Sequence, residues 1–335
     1  MLRRSLLHAA AAAPLSSPLS SPLFAAPGQP ARTGFRRGVN FTAERPDIYG
    51  TAGARENLAK LLDYGVNSIA VVPYGFSPSD APTVRLPGER SWESDSGVRD
   101  VATEARRLGL RVLMKPHIWV RGGFPGKLHY ASPTDRAAWF AEYAKFLDHY
   151  ARMAQEVGAE MFAVGNEFVQ LSKYETEWRA LIARARGIFK GPITYAAVQG
   201  EEFETLRFWD AVDYIGLNNY YPLPDTLDCT PVLRKVETVQ KRYRKPVLFT
   251  ECGYASVRTP HREPWDSSRR EVYFEDQARC YEALLKTFYQ QPWMAGFYWW
   301  KLGSNGRGGE TDFSHSPYRK PAMDVLARYY RSKKR

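Results

Sequence analysis

Residues 161–168 read MFAVGNEF, and the fold is decided by how this stretch is read. Four mostly apolar residues run into Gly165, then into Asn166 and Glu167. A short apolar run bounded by glycine is the pattern of a strand buried on both faces, as in a parallel sheet covered by helices. An amide and a carboxylate at the C-terminal end of such a strand have no packing task. In parallel α/β folds that end is where catalytic groups sit. Residues 246–254, PVLFTECGY, repeat the arrangement with Glu251.

Outward from these two stretches the chain alternates short apolar runs with longer helical patterns. Strands are predicted at 37–41, 68–74, 111–118, 161–168, 193–198, 214–221, 246–253 and 295–301. Helices are predicted at 52–64, 98–108, 134–157, 175–189, 232–243, 271–289 and 321–330, with a short, weakly patterned segment at 202–211. Eight strands alternating with helices over this length make a single (β/α)8 TIM barrel, of α/β class, the expected fold. The alternative is an open doubly wound sheet, but no Gly-rich phosphate loop follows the first strand. No linker divides residues 36–335, which are read as one domain. Residues 1–35 are read as a leader: basic at Arg3 and Arg4, then Ala-rich and apolar, then a Ser/Pro/Leu repeat. Export to the periplasm or medium is expected, and the paired arginines permit the twin-arginine route.

Composition narrows the function classes. With 44% hydrophobic and 25% charged residues, the 335-residue chain is globular in character. Its net charge of +11 lies partly at the termini, with no recognition helix or zinc knuckle, so no nucleic-acid partner is expected. No segment reads as an integral membrane span, and a monomer is expected. The 3 cysteines, Cys229, Cys252 and Cys280, lack metal-ligand spacing, and their odd number argues against a disulfide framework. Neither a metal nor a cofactor is expected. The 9 Trp and 20 Tyr are many, and they suit either a core or a cleft that stacks on flat apolar faces such as those of sugars.

Reading the strand ends in order gives Asn40, Tyr74, His117 with Trp119, Asn166 with Glu167, Gln199, Asn218 to Tyr221, Glu251, and Trp299 with Trp300. Taken singly, the histidine and the tryptophans have structural explanations. The two glutamates are harder to explain that way, because a carboxylate is rarely buried at a strand end without a partner. Two carboxylates across a polar, aromatic cleft suit glycoside hydrolysis, where one protonates the leaving oxygen and the other attacks or activates water. Amides would hold sugar hydroxyls and indoles would stack on sugar faces. Rival chemistries fit less well: the six histidines are scattered, and no Gly-x-Ser-x-Gly elbow is present. Lys115 lies on a strand, as a Schiff-base lysine would, but no phosphate-binding loop accompanies it.

At this point the chain resembles a known group. Asn-Glu ending the fourth strand and Glu ending the seventh are similar to the signature of clan A glycoside hydrolases. Within the clan the chain resembles glycoside hydrolase family 113, whose characterised members are β-mannanases. The likeness is carried by LMKPHIW (113–119), AVGNEF (163–168), YIGLNNYYP (214–222), LFTECGY (248–254), GFYWW (296–300) and the late GGETDFSHSPYRKPA. The resemblance implies Glu167 as acid/base and Glu251 as nucleophile. It also implies Asn166 on the sugar 2-hydroxyl, and Tyr220 or Tyr221 orienting the nucleophile. Trp299 or Trp300 would floor the subsite of the reacting sugar, with His117 lining it. Asn40, Trp119 and Asn218 are the remaining substrate-binding candidates. Retention of anomeric configuration follows, with carboxyls about 5–5.5 Å apart and a raised Glu167 pKa.

The expected partner is therefore an oligo- or polysaccharide, β-1,4-mannan or manno-oligosaccharides first. Charged residues in the loops after the seventh and eighth strands (Arg262, Asp266, Arg269, Arg270, Arg307, Glu310) depart from a neutral rim and would also suit a substituted or acidic glycan. Another clan A specificity, on β-glucan, β-galactan or chain ends, is the alternative enzyme. A carbohydrate-binding barrel without catalysis is the non-enzymatic one.

Overall fold

The computed structural model describes residues 34–88 and 91–332, so the leader reading lies outside the described residues. Eight parallel strands close a barrel: β1 (Arg36–Thr42), β2 (Ser68–Val71), β3 (Arg111–Met114), β4 (Met161–Asn166), β5 (Ile193–Val198), β6 (Tyr214–Asn219), β7 (Val247–Cys252) and β8 (Met294–Gly303). Each strand pairs with its neighbours in sequence, and β8 closes on β1. Helices α1 (Ala52–Lys60), α2 (Asp95–Arg107), α3 (Pro133–Glu156), α4 (Glu175–Ile188), α5 (Glu201–Thr205), α6 (Thr230–Tyr243), α7 (Phe274–Phe288) and α8 (Pro321–Arg331) follow the strands in turn. This is the (β/α)8 barrel expected from the alternation of runs.

The differences from the sequence reading have local causes. The second and third strands stop at Val71 and Met114, and pairing resumes in a separate two-stranded ladder, Tyr74–Phe76 against His117–Trp119. Pro73 and Pro116 fall at the two breaks. A proline has no N–H for the ladder, so both barrel strands are interrupted at the same level. β4 ends at Asn166 because Glu167 adopts φ +58°, in the left-handed region, which no strand can continue. Helix α2 begins three residues before the predicted start, because the Ser94 hydroxyl accepts the Gly97 N–H as a cap. The predicted first helix closes as a 3-10 turn over Leu61–Tyr64, with Gly65 at φ +77°. The weakly patterned 202–211 segment is the short α5 followed by a 3-10 turn at Trp209–Ala211.

Two apolar clusters hold the barrel. One fills its interior, with Ala70, Leu113, Met161, Ala163, Leu248 and Tyr298. The larger one lies between strands and helices and is dense in aromatics, including Trp139, Trp178, Trp209 and Trp299. Among the described residues no helix is long and apolar enough to cross a membrane. Cys229, Cys252 and Cys280 are buried free thiols.

The glycine in the opening stretch has a packing reason. A Cβ on Gly165 would come within 2.6 Å of the Tyr195 ring and 2.7 Å of Trp178. Overpacking of this kind costs about 1–3 kcal/mol, and a domain of this size loses roughly 2–4 °C of Tm per kcal/mol. Gly165→Ala is expected to melt lower by that margin in a thermal scan. An unchanged Tm would contradict the close packing behind Glu167.

Candidate active site

The C-terminal ends of the strands surround a cavity of about 620 Å³. Asn166 and Glu167 enter it from the end of β4, Tyr220 from just past β6, Glu251 from β7 and Trp300 from β8. Tyr74, His117 and Trp119 come from the short ladder that follows the two prolines. Trp265, from the loop after β7, completes the aromatic wall.

Glu251 is held at both oxygens. Lys115 Nζ donates to Oε1 at 2.7 Å, and the Tyr220 hydroxyl donates to Oε2 at 3.0 Å. Lys115 is wholly buried, and its ammonium also donates to the Thr250 carbonyl at 3.1 Å. Burial pushes the Lys115 pKa down, and the Glu251 carboxylate acts against that push. The two groups are in contact as a buried ion pair, held further by the Thr250 carbonyl on one side and the Tyr220 hydroxyl on the other. His117 Nε2 stands 3.6 Å from Glu251 Oε1 and has no hydrogen-bond partner. Burial, then the Lys115 charge, pulls the His117 pKa well below its usual value, so the imidazole is neutral.

Among the described residues no cation pairs with Glu167. Its Oε1 accepts from Asn218 Nδ2 at 2.9 Å, and the same amide donates to Asn166 Oδ1 at 3.0 Å. Thr250 fixes that amide by donating its hydroxyl to Asn218 Oδ1 at 2.7 Å. Burial first, and the Glu251 charge second, push the Glu167 carboxyl up to about 8. The two carboxyl groups of one cleft thus differ in their surroundings: Glu251 has a lysine ammonium against it, and Glu167 is pushed up by burial and by Glu251.

The left-handed backbone at Glu167 is braced from behind. Its N–H donates to the Ala196 carbonyl at 2.9 Å, and the next N–H, of Phe168, donates to the Tyr195 hydroxyl at 3.1 Å. Tyr195 in turn donates to Glu202 Oε1 at 2.6 Å, and Glu202 Oε2 takes the Val198 N–H at 2.7 Å. Nothing in the sequence marks Glu202, at the start of an ill-patterned segment, as a support for the cleft. Lys115, Thr250 and Trp265 were likewise absent from the sequence-derived set of site residues.

The structure separates the remaining candidates. The indole of Trp300 lies parallel to the His117 ring at 6.1 Å and lines the cavity. Trp299 is fully buried and stacks on Tyr281 at 3.9 Å, on the helix side of the sheet. Adjacent residues of a strand point to opposite faces, so only one of this pair reaches the cleft. The Tyr221 hydroxyl donates to Glu204 at 2.7 Å and accepts from the Gly200 N–H at 2.9 Å, so it does not reach Glu251. Asn40 is buried below the cavity, its amide donating to the Thr250, Tyr298 and Trp299 carbonyls at 3.2, 3.0 and 3.4 Å. It ties β1 to β7 and β8 and does not line the cavity. The arginines of the rim are engaged locally: Arg262 with Asp225, Arg269 with Glu271, and Arg307 with Asp312.

Comparison with known proteins agrees with this geometry. The model of Glycoside Hydrolase Family 113 matches residues 39–313. The GH113 β-mannanase AaManA from Alicyclobacillus acidocaldarius, solved in complex with ManMIm, is similar at 33% identity and a TM-score of 0.82, over 89% of this chain and 98% of that one. A GH113 β-1,4-mannanase solved as a complex is similar at 26% identity and a TM-score of 0.83, over 90% and 100% of the two chains. The β-glucuronidase of Bifidobacterium dentium, at 15% identity and a TM-score of 0.61, shares the fold over 90% of this chain and 47% of its own. Among curated proteins none matches the sequence. The family match spans most of the barrel and the nearly full-length likeness to two of its structures runs beyond it, so this chain belongs to glycoside hydrolase family 113.

Proposed function

We propose that the protein is a retaining β-glycoside hydrolase acting on β-1,4-mannan or manno-oligosaccharides, with Glu251 as nucleophile and Glu167 as acid/base. The observation that carries this reading is the contrast between the two carboxyl groups. Glu251 is paired with Lys115 at 2.7 Å, while Glu167 has only amide contact and a pKa pushed up to about 8. A nucleophile must be ionised and a proton donor must be neutral before the reaction begins. The mannan preference rests on the two GH113 mannanases that the chain resembles.

In the first step Glu251 attacks the anomeric carbon and forms a glycosyl ester. Glu167 protonates the departing glycosidic oxygen as that bond breaks. In the second step Glu167, now a carboxylate, takes a proton from water as the water attacks the same carbon. The ester breaks, the sugar leaves with its original configuration, and both carboxyl groups return to their starting states. Each residue near the centre has a part in this. Lys115 and Tyr220 hold and aim Glu251, and Asn218 holds the neutral Glu167. Asn166 and the unpartnered His117 Nε2 are placed to meet sugar hydroxyls, and the Trp300 face receives the ring.

The reading is tested by incubating wild type and Glu251→Ala with manno-, gluco-, xylo- and galacto-oligosaccharides, all β-linked. Cleavage of the manno series by wild type, with loss of activity in the variant, is the expected result. Cleavage of a different series would move the specificity. No cleavage of any series would overturn the reading.

The Glu167 shift has two consequences for pH. Activity depends on its proton, so kcat/KM is expected to fall on the alkaline side as pH passes about 8. Stability follows the same group. At low pH Glu167 is protonated whether the chain is folded or unfolded, and its burial carries no charge penalty. Between its ordinary value of 4.5 and about 8 only the unfolded chain ionises it, so wild-type stability is lost as pH rises through that window. The Tm of Glu167→Gln is therefore expected to gain on wild type from acid to neutral pH. A constant difference across the range would contradict the raised pKa.

A further inference from the structure

The late stretch GGETDFSHSPYRKPA, residues 308–322, has no part in the chemistry described so far, yet Asp312, His315, Ser316 and Lys320 within it are all buried. Lys320 Nζ pairs with Asp312 Oδ2 at 3.1 Å and donates to Ser256 Oγ at 2.7 Å and the Ser314 carbonyl at 3.2 Å. The Ser256 hydroxyl, from the loop after β7, donates to the Asp312 carbonyl at 2.7 Å. Gln277 of α7 donates its amide to the His315 carbonyl at 3.4 Å. Buried charges and amides cost free energy unless they are paired. Here the pairing is spent on fixing the backbone of residues 312–316.

His315 stands on this frame, and its ring lines the catalytic cleft. Its Nε2 lies 2.7 Å from the Pro264 carbonyl. A carbonyl only accepts, so the proton is on Nε2. Burial pulls the His315 pKa below its usual value, so the ring is neutral and that N–H is its one donor. Pro264 precedes Trp265, which forms cleft wall together with Ser267 and is 51% exposed.

Residues 263–270 contain no helix or strand. Their hydrogen bonds are otherwise local: the Asp266 N–H to the Glu263 carbonyl at 2.9 Å, the Ser268 N–H to Asp266 Oδ1 at 2.8 Å, Arg270 to the Ser267 and Arg269 carbonyls, and Arg269 to Glu271. Among the described residues, the bond from His315 is thus the one hydrogen bond that joins this segment to the chain beyond residue 271. The other tie is the Arg270 guanidinium over the Phe313 ring, 4.8 Å away.

Resting on the glycosidase reading above, we propose that His315 is a positioning residue: its Nε2–H holds the Pro264 carbonyl, and with it the segment that brings Trp265 to the cleft wall. Neither catalytic glutamate is bonded to His315; Glu251 is held by Lys115 and Tyr220, and Glu167 by Asn218. Losing the tether therefore weakens the hold on a bound chain and leaves the bond-breaking step alone. Such a loss raises KM without lowering kcat.

His315→Phe and His315→Gln are compared with wild type, after a thermal scan has shown that they are folded. The phenyl ring keeps the edge contact with Tyr220, whose ring centre is 6.5 Å away, and removes only the donor. The glutamine amide restores an N–H at similar reach. If His315→Phe does not fold, His315→Leu takes its place. Brief digestion with trypsin, mapped by mass spectrometry, reads the tether directly, because Arg269 and Arg270 are cut only when the segment leaves its place. Loss of one hydrogen bond is expected to speed these cuts about three- to tenfold in His315→Phe, and His315→Gln is expected to match wild type. On a hexasaccharide of whichever β-linked series wild type cleaves, manno first, KM is expected to rise about three- to tenfold in His315→Phe, with kcat within about twofold. Cutting at the wild-type rate in His315→Phe, a His315→Gln as defective as the phenylalanine variant, or a fall in kcat with KM unchanged would each overturn the proposal. If wild type cleaves no series, the glycosidase reading fails on its own, and the tryptic comparison still decides whether His315 holds the segment.

Discussion

Two carboxyl groups that face one enclosed cleft cannot both ionise freely, and the site is arranged around that constraint. Lys115 pairs with one of them. Its buried ammonium is 2.7 Å from Glu251, and among the described residues no cation pairs with Glu167. A lysine that far from water is tolerated only because the carboxylate and the Thr250 carbonyl replace its hydration. The same carboxylate, in turn, raises the proton affinity of Glu167. One buried pair thereby bears on both acids, holding Glu251 in place and adding to the upward push that burial gives Glu167.

The barrel supplies the geometry this arrangement needs. Glu167 and Glu251 come from strands three positions apart in the closed sheet, with β5 and β6 between them. Asn218 and Thr250 span that gap through a chain of hydrogen bonds ending on Glu167. The left-handed turn at Glu167 is unfavourable for a residue with a Cβ, and the surrounding backbone and the Tyr195–Glu202 pair hold it in place. Gly165 makes room for the Tyr195 and Trp178 rings behind that turn. Structure that looks like ordinary packing in the helix layer thus sets where the acid points.

The barrel was legible from the alternation of apolar runs with helical patterns, and Tyr74, His117, Asn166, Glu167, Tyr220, Glu251 and Trp300 of the cavity stood at strand ends. Part of what the sequence left open came from neighbouring residues of one type that geometry must separate. Tyr220 and Tyr221 are equivalent in composition, but only the first turns toward Glu251. Trp299 and Trp300 alternate across the sheet, and only the second faces the cavity. Asn40 stood at a strand end and yet spends its amide on three backbone carbonyls. Lys115 was visible as a strand lysine, but its partner lies 136 residues away and could not be read from local pattern. Glu202 lies outside the strands, where neither period nor spacing marks it. The breaks at Pro73 and Pro116 were legible in principle, since proline cannot serve a ladder.

The central claim is that Glu251 carries the sugar covalently during turnover. The most direct measurement is to trap it with a 2-deoxy-2-fluoro β-glycoside of the cleaved series bearing a good leaving group, then digest the protein and map the label by mass spectrometry. Fluorine at that position slows both formation and release of the ester, and the activated leaving group restores formation alone, so the ester accumulates. The account predicts one added glycosyl group, on the peptide that contains Glu251 and on that residue. An unlabelled protein whose first product has inverted configuration, or a label on another residue, would contradict it.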